Sequence, residues 1–342
     1  MTGARPYPAK QGFALPAVLS LLAVLTLVFL TVLAASHGLA GKARAAVDEA
    51  EFERLAFDAE ARTAFLALVE PEGPDRLRVG APRGAQARAP AREFPVFLDN
   101  RPHAWDGAYL LQMQDEAGLA NIDFSRRDTL MRLFQKAQLG REEADALADQ
   151  LLDYIDADDV RLPRGAEAAD YQRAGRPPPP NAKLDRIEDV FGVLDWPRVV
   201  DAARWARMEG LISADASSSA FNINTAPAAV LEVVLNLSPA QAQGVLERRA
   251  ARPIVNLTEV GLRDDGQANS FTQPNGRFRF SLTDPARGWR YQSRMVLTPD
   301  NSEQPIWISP GALSGVDAST SATLKRVHAA PFPDSANTNS GG

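Results

Sequence analysis

The hydrophobic pattern of the chain begins with an uncharged stretch, residues 13–35, whose polar side chains are Ser20, Thr26 and Thr31. A helix of this length extends about 35 Å, because each residue adds about 1.5 Å, and the hydrocarbon core of a membrane is about 30 Å thick. The pattern therefore predicts a single membrane-spanning helix. A secretory signal peptide is the alternative, although its apolar segment is usually shorter, about 7–15 residues.

Beyond this stretch, residues 42–69 show apolar positions at helical spacing among charged ones. Val47, Phe52, Leu55 and Leu66 fall near one stripe of such a helix. The pattern predicts that the membrane helix continues into water as an amphipathic helix to the end of this segment.

Short segments with strand character stand on both sides of a long helical region, residues 118–264. Residues 71–107, with the short apolar piece 94–98, are consistent with a loop that leads to a strand. Alternation and flanking turn residues predict strands at 108–114 before the helical region and at 277–282, 290–297 and 306–308 after it. Strands before and after a helical block predict a small sheet that a helical insertion interrupts, which is an α+β fold. The last segment is rich in Ser, Thr, Ala and Asn, and we expect it to be flexible.

An internal repeat runs through the helical region. Residues 121–123 (Asn-Ile-Asp) correspond to residues 222–224 (Asn-Ile-Asn) at an offset of 101, and residues 187–190 resemble residues 257–260 at an offset of 70. The first copy must then contain extra residues, and the acidic and proline-rich stretch 156–181 is the candidate. The repeat predicts two related helical units, with chance similarity of short helix starts as the alternative.

Charge is distributed unevenly along the chain, whose formal net charge is −6. Residues 1–47 contain four basic residues and no acidic one, which leaves 33 basic and 43 acidic residues in the remainder. Nucleic-acid affinity rests on neutralising phosphates with Lys and Arg, so this acidic body argues against a general nucleic-acid binder. The basic residues before and after the apolar stretch are equal in number, so they do not fix its orientation.

Residue types that commonly carry out catalysis are scarce. The chain has no cysteine, and its histidines, His37, His103 and His328, are far apart in the sequence. The composition excludes thiol catalysis, cysteine-ligated zinc and disulfides. Since no nucleophile elbow, phosphate loop or dinucleotide fingerprint is present either, we predict that the protein is not an enzyme. A membrane-anchored hydrolase that uses carboxylates is the alternative.

The apolar stretch has a distinctive border. A short basic leader, residues 1–12, ends in Gly12, and Phe13 follows it directly. This junction resembles the processing signal of type IV pilins and type II secretion pseudopilins, which implies cleavage between Gly12 and Phe13 by a prepilin peptidase and N-methylation of Phe13. Pilins of this family carry Glu at the fifth mature position, which is Ala17 here. The missing Glu resembles the minor pseudopilin K class, whose members usually lack it.

The most distinctive string is Phe-Asn-Ile-Asn-Thr-Ala-Pro, residues 221–227. Thr225 is suited to cap the following helix, and Pro227 to its first turn. The string resembles the pseudopilin K class, but it also resembles the start of a helix-hairpin-helix unit, so a DNA-uptake receptor anchored in the inner membrane is the alternative function. The corresponding turn, residues 235–239, lacks glycine and contains proline, and we expect no nucleic-acid partner.

An acidic stretch is the candidate metal site. Asp156, Asp158, Asp159 and Glu167 supply hard oxygen ligands of the kind that Ca²⁺ prefers. They do not form an EF-hand, because a valine and an arginine occupy the places of a ligand and of the turn glycine. The stretch resembles the pseudopilin K class, whose tip assemblies are associated with calcium, so the resemblance implies Ca²⁺ as a cofactor. A solvated acidic loop is the alternative.

The order of these motifs resembles the minor pseudopilin K family of type II secretion systems. The resemblance implies an α+β fold with a long N-terminal membrane and assembly helix and a small pilin-like antiparallel sheet that a large α-helical domain interrupts. The predicted segments are the leader (1–12), the helix (13–69, with the span at 13–35), the first sheet part (70–117), the inserted domain with its two helical units (118–264), the second sheet part (265–312) and the flexible tail (313–342).

The resemblance also implies a function, which is to cap the tip of the pseudopilus and to take part in its initiation, its assembly and the export of folded proteins across the outer membrane. The implied partners are minor pseudopilins of the I and J classes, further pseudopilus subunits, the inner-membrane assembly platform and the prepilin peptidase, with exoproteins or the secretin as further contacts. The implied location is the bacterial inner membrane, with a single span and a periplasmic C-terminal body.

Overall fold

The computed structural model describes residues 14–70, 72–80, 94–263, 269–316, 324 and 329–332. The chain divides into two compact units, residues 1–57 and residues 58–342. The first unit is helical in its described part, whereas the second contains both helices and sheets.

Helices and strands follow one another along the described residues. The α-helices are α1 (Ala14–Val69), α2 (Arg127–Lys136), α3 (Arg141–Ile155), α4 (Ala168–Arg173), α5 (Trp196–Val199), α6 (Ala202–Met208), α7 (Ala228–Val234), α8 (Pro239–Ala251) and α9 (Asn269–Thr272). The strands are β1 (Arg76–Val79), β2 (Phe94–Phe97), β3 (His103–Trp105), β4 (Tyr109–Asp115), β5 (Ala120–Asn121), β6 (Ile212–Ser213), β7 (Arg277–Asp284), β8 (Trp289–Leu297), β9 (Ile306–Ile308), β10 (Ala312–Gly315) and β11 (Ala330–Pro331). Short 3-10 helices occur at Glu116–Gly118, Ile187–Gly192 and Leu257–Val260.

Helix α1 contains the uncharged stretch of the sequence. Within the described residues, Leu15–Leu33 is the one segment that is helical, apolar and long enough to cross a membrane. Thr26 and Thr31 lie inside it, and their hydroxyls donate to the carbonyl groups of Leu22 and Val28 at 2.7 and 2.8 Å. Because these hydroxyls are satisfied within the helix, they are compatible with an apolar environment.

The main sheet of the second unit has the strand order β10-β8-β7-β4-β3-β11, with β9 beside β8. Its pairings are antiparallel, except that β11 runs parallel to β3. Strands β4 and β7 are neighbours, with Leu111 opposite Leu282, although the largely helical residues 116–276 separate them in the chain. The predicted α+β class, a small sheet interrupted by a helical insertion, is confirmed.

The two faces of this sheet pack against different parts of the second unit. One face is apolar, with Leu111, Phe280 and Tyr291 almost fully buried, and the Tyr291 hydroxyl donates to the Glu60 carboxylate of α1 at 3.1 Å. The other face carries arginines that reach the helical insertion. The central strands β4 and β7 are therefore largely buried on both faces, and apolar and charged residues alternate along β7 because its two faces have different surroundings.

Four predicted strands are present as β4, β7, β8 and β9, with ends close to the predicted ones. The apolar piece at 94–98, which was expected in a loop, contains strand β2, and β2 pairs with β1 in a separate two-stranded sheet. Strands β1 and β3 were not predicted, because segments this short carry little periodic signal.

Two short pieces of the segment predicted as a flexible tail are ordered strands in the structure. Most of β10 lies in that segment and pairs with β8, while β11 pairs with β3. Phe332, directly after β11, is 7% exposed, and its ring centroid lies 5.0 Å from that of Trp105. For β11, burial of the Phe332 aromatic ring against Trp105 is the physical reason for this difference.

The two related stretches of the helical region carry the same hydrogen bonds. Helices α2 and α7 begin 101 residues apart, as do the Asn residues that precede them. Asn121 accepts from the N–H of Asp123, and Asn222 accepts in the same way from the N–H of Asn224. Each unit then continues with a longer helix, α3 or α8, and a 3-10 helix, and each has its own apolar core.

Candidate functional site

The candidate site is the acidic loop that follows α3 in the first helical unit. Two buried carboxylates on one face of α3 hold this loop. Asp149 accepts from the Arg164 backbone N–H at 3.1 Å, and Asp153 accepts from the Leu162 backbone N–H at 3.2 Å. Since these residues are four apart, they lie one above the other on the helix and fix two successive points of the loop.

Gly165 lies where the loop passes closest to α3. A Cβ atom at this position would lie 1.8 Å from Oδ2 of Asp153, which is far inside van der Waals contact. Only glycine therefore allows the loop to cross the buried carboxylate at this distance. This contact is the physical reason for the glycine in the Gly-Ala-Glu string that follows the acidic stretch.

The four predicted metal ligands differ in how the structure uses them. Oδ1 of Asp156 and both carboxylate oxygens of Glu167 are buried without a hydrogen-bond partner. In contrast, Asp158 accepts from the Val160 backbone N–H at 2.8 Å, and Asp159 accepts from the Asn181 amide at 3.1 Å. Asp158 and Asp159 thus shape the loop, whereas Asp156 and Glu167 carry buried oxygens without a hydrogen-bond partner.

Asn181 is a further candidate that sequence reasoning missed. Its Oδ1 is buried without a hydrogen-bond partner, while its Nδ2 donates to Asp159 and to the Asp158 carbonyl group. Its backbone φ of 48° is in the left-handed region, which Asn tolerates better than most residues. An Asn directly after a proline run was the available signal in the sequence.

Electrostatics also place Glu167 near the other carboxylates. Burial raises the pKa of Glu167 to about 7, and the negative charges of Asp153 and Asp156 add to this effect. The pKa values of Asp153 and Asp156 are raised as well, first by burial. Within the described residues, however, no three or more Asp, Glu, His or Cys side chains are arranged as a metal site.

The far end of the loop is tied to the 3-10 helix Ile187–Gly192 and the residues after it. The Tyr171 hydroxyl accepts from the Leu194 backbone N–H at 2.9 Å. The Arg176 guanidinium donates to the carbonyl groups of Phe191 and Val193, at 2.9 and 3.0 Å. The segment from Leu162 to Arg176 is therefore held at both ends, with Glu167 between the two sets of contacts, while Asp156, Asp158 and Asp159 lie between α3 and the first set.

The Phe-Asn-Ile-Asn-Thr-Ala-Pro string joins the second helical unit to the sheet. Asp115, at the end of β4, accepts from Nδ2 of Asn222 at 2.9 Å and from the Thr225 hydroxyl at 2.8 Å. The expectation that Thr225 caps the next helix is wrong, because Pro227 is the N-cap residue of α7 and provides no side-chain hydrogen bond. Thr225 instead packs on Gly118, where a Cβ atom would lie 2.5 Å from its hydroxyl.

A second connection between sheet and insertion centres on Glu116, which sequence reasoning missed. Its carboxylate accepts from Arg294 at 2.9 Å and from Arg279 at 3.3 Å, and the carboxylate is 3% exposed. The same guanidinium groups donate to carbonyl groups of the insertion at Ala214 and Glu209. The available signal was the arginines on one face of two adjacent predicted strands.

The hairpin of α7 and α8 was the candidate nucleic-acid element. Its turn contains Ser238, which caps α8 by accepting from the Gln241 backbone N–H at 3.3 Å. Of the arginines of α8, Arg248 pairs with Glu259, and Arg249 donates to the Ile223 carbonyl group at 2.8 Å. These cations already have partners within the protein, so the hairpin does not present them as free phosphate ligands.

The predicted processing residues, Gly12 and Phe13, lie outside the described residues. Ala17 lies in the first turns of α1 and is exposed. At this position the helix therefore presents a methyl group and no carboxylate.

Comparison with known proteins gives the family. Residues 110–214 match one model of the family described as type II secretion system (T2SS), protein K, and residues 221–277 match a second model of it. The chain belongs to the T2SS protein K family. It is thus a minor pseudopilin of the type II secretion system, and this family is a structural component of that system.

A solved structure has a similar fold. A chain of the GspK-GspI-GspJ complex from the type 2 secretion system of enterotoxigenic Escherichia coli is 16% identical, with a TM-score of 0.51. The similarity covers 79% of this chain and 99% of that chain. No curated protein matches the chain.

The two K-family matches divide the insertion at a structural boundary. The first runs from β4 to just after β6 and contains the first helical unit with its acidic loop. The second begins at Phe221 and ends where β7 begins, so it contains the second helical unit. The acidic loop and the Asp115 contact thus belong to the parts that the family defines.

Proposed function

We propose that this K-family protein caps the tip of a type II secretion pseudopilus and takes part in its initiation and assembly during the export of folded proteins. The observation that carries this proposal is the large helical insertion between β4 and β7, which contains both K-family matches. A body of this size favours the end of a fibre, where no further subunit must fit above it. Its role is assembly and not catalysis.

The proposed partners are minor pseudopilins of the I and J classes. Support comes from the similar fold in the GspK-GspI-GspJ complex. Further pseudopilus subunits, the inner-membrane assembly platform and the prepilin peptidase are also proposed to bind the chain during assembly, and exoproteins or the secretin to contact the assembled tip.

The proposed location is the bacterial inner membrane, with Leu15–Leu33 as the single span and the second unit in the periplasm. A prepilin peptidase would cut between Gly12 and Phe13, and Phe13 would be N-methylated. The amino group of a mature pilin needs a neighbouring carboxylate because an isolated charge is unfavourable in an apolar fibre core. Ala17 cannot supply one, which suits a subunit with no other subunit ahead of it.

The mature N-terminus tests this proposal most directly. Mass spectrometry of the protein from cells that contain a prepilin peptidase should find methylated Phe13 as the first residue. A Gly12→Asp variant should keep Met1 and lose co-purification with I- and J-class pseudopilins. Cleavage near Ser36, or an intact Met1 in the wild-type protein, would contradict processing as a pseudopilin.

We further propose that the acidic loop binds Ca²⁺. The proposal rests on the oxygens of Asp156, Glu167 and Asn181 that are buried without a hydrogen-bond partner. Such oxygens are unfavourable when unpaired, and they are the hard ligands that Ca²⁺ prefers. Asp158 and Asp159 would hold the loop in the shape that brings these oxygens together. Burial, and then repulsion from the neighbouring carboxylates, raises the pKa of Glu167, and a bound cation would offset both effects.

Thermal unfolding of the full chain in detergent tests the calcium proposal. Because the pKa of Glu167 is raised in the folded state to about 7, stability in EDTA should fall as the pH rises through that value. At pH 8, Ca²⁺ at one hundred times its Kd should stabilise the wild-type fold by about 2.7 kcal/mol. The double variant Asp156→Asn, Glu167→Gln should lose this gain, whereas the exposed control Asp300→Asn should retain it. An equal gain in the double variant, or none in the wild-type protein, would refute the site.

A further inference from the structure

The two helical units differ at one equivalent position. In the first helical unit, Oδ1 of Asp123 accepts from the Leu184 backbone N–H at 2.8 Å. In the second helical unit, Oδ1 of Asn224 accepts from the Ile254 backbone N–H at 2.7 Å. The offsets are those of the repeat, 101 residues between the side chains and 70 between the backbone groups that they bind. Both side chains join the residues before α2 or α7 to those before the following 3-10 helix.

The two side chains differ in the hydrogen bonds of their second polar atom, which is Nδ2 in Asn224 and Oδ2 in Asp123. Nδ2 of Asn224 donates to the carbonyl group of Ile254 at 2.9 Å, which completes a closed pair of hydrogen bonds with that residue, and also to the carbonyl group of Thr272 at 3.2 Å. Oδ2 of Asp123 is buried and has no hydrogen-bond partner. In the repeat, the Leu184 carbonyl group corresponds to the Ile254 carbonyl group that Asn224 binds, but a carboxylate oxygen cannot bond to a carbonyl oxygen without a proton between them.

The surroundings of Asp123 do not remove this conflict. Asp123 is 7% exposed, and burial raises the pKa of its carboxyl group. The Leu184 backbone N–H, the charge of Lys183 and the Asp215 backbone N–H lower the pKa in part, and the carboxylate of Asp215, after β6, raises it. Asp215 is itself paired with Arg277 of β7 at 2.9 Å, so that arginine is already engaged.

We infer that Asp123 is a proton-dependent latch for the acidic loop. In its protonated form Asp123 donates from Oδ2 to the Leu184 carbonyl group. It thereby makes the closed pair of hydrogen bonds that Asn224 makes at every pH in the second helical unit. Leu184 is the first buried residue after the acidic and proline-rich stretch, so this pair fixes the point where the loop rejoins the core. Deprotonation opens one of the two hydrogen bonds and loosens the loop. This inference does not depend on the proposed role in secretion.

A pair of exchanged variants in the full chain tests the latch, with unfolding measured in detergent and EDTA at pH 5 and pH 8. Because a raised pKa stabilises the fold only below it, wild-type stability should fall as the pH rises. Asp123→Asn supplies a permanent donor, and its Tm at pH 8 should exceed that of the wild-type protein by about 2–4 °C, with a smaller pH dependence. The matched control Asn224→Asp should lower Tm at pH 8 and steepen the pH dependence.

Hydrogen exchange adds a local measurement that a purely global change would not reproduce. At pH 8, backbone amides of residues 182–190 should exchange more slowly in Asp123→Asn than in the wild-type protein. A Tm for Asp123→Asn equal to or below that of the wild-type protein at pH 8 would overturn the latch. A Ca²⁺- or Na⁺-dependent gain in the wild-type Tm that Asp123→Asn abolishes would also overturn it, because a cation would then occupy the place of the proton.

Discussion

Single buried polar residues connect the helical insertion to the sheet. Asp115 is fully buried and accepts hydrogen bonds from Asn222, Thr225 and the Ala117 backbone N–H. Burial raises its pKa from 3.8 to about 6 in spite of these donors. Since the fold favours the protonated form, the contribution of Asp115 to stability is complete below pH 3.8 and decreases as the pH rises to about 6.

Replacing Asp115 by Ala should lower the free energy of unfolding at pH 7 by about 2–3 kcal/mol, because Asn222 and Thr225 would remain buried without their acceptor. The variant should also lose the fall in stability between pH 4 and pH 6. Denaturant unfolding of the full chain at these pH values measures both effects. The exposed control Asp300→Ala should change stability by less than about 0.5 kcal/mol. Equal stabilities of the two variants would show that Asp115 does not connect sheet and insertion.

At the scale of elements, α3 acts as a support for the acidic loop. Its buried carboxylates bind backbone N–H groups of the loop, and the loop approaches the helix at Gly165. A loop held in this way keeps its acidic residues in place although it has little regular structure of its own. Helix α3 therefore has two roles, since it fills the core of the first helical unit and also positions the candidate metal ligands.

A Gly165→Ala substitution should disrupt this support. The new Cβ atom would meet Asp153, which is held by the Leu162 backbone N–H, so the loop must move away from α3. We expect a stability loss of about 1–3 kcal/mol and faster proteolysis of the loop. The matched control is Gly244→Ala in α8, where a Cβ atom has open space and alanine should stabilise the helix by up to about 1 kcal/mol. Similar effects of both substitutions would contradict the close approach.

At the scale of the second unit, charged contacts unite sheet and insertion. Glu116 receives guanidinium groups from β7 and β8, and these arginines also bind carbonyl groups of the insertion. Because Glu116 is buried, the cost of removing it exceeds that of an exposed ion pair, since two cations would lose their partner. We expect this contact to make the sheet and the insertion unfold as a single cooperative structure.

Glu116→Ala should therefore destabilise the second unit by about 3–5 kcal/mol. Calorimetry should show either a much lower Tm or separate transitions for sheet and insertion. Removing the exposed pair between Asp58 and Arg62 by Asp58→Ala should cost less than about 1 kcal/mol, because both side chains are about half exposed. A cost for Glu116→Ala no larger than that of Asp58→Ala would show that the buried contact does not hold the unit together.

Much of the fold could be predicted because its signals are local. The uncharged run predicted α1, and alternation predicted β4, β7 and β8 with ends close to those observed. Other features depended on partners far away in the sequence. Thr225 has the side chain of a helix cap, but Asp115, 110 residues earlier, takes its hydroxyl. Phe332 lies in a tail that is rich in Ser, Thr, Ala and Asn, and its burial is explained by contact with the ring of Trp105, which is far away in the sequence.

The sequence by itself determined the membrane-length helix, the strands on both sides of a helical block and the family resemblance, because periodicity and motif order are properties of neighbouring residues. Only the tertiary structure decided how the acidic residues are used, with Asp158 and Asp159 shaping the loop and Asp156 and Glu167 left with free oxygens. It also showed that Asp123 and Asn224, which are equivalent in the repeat, differ in the hydrogen bonds of their second polar atom. The physical reason is that the role of a carboxylate depends on its burial and on the donors around it, and folding brings those donors from distant parts of the chain.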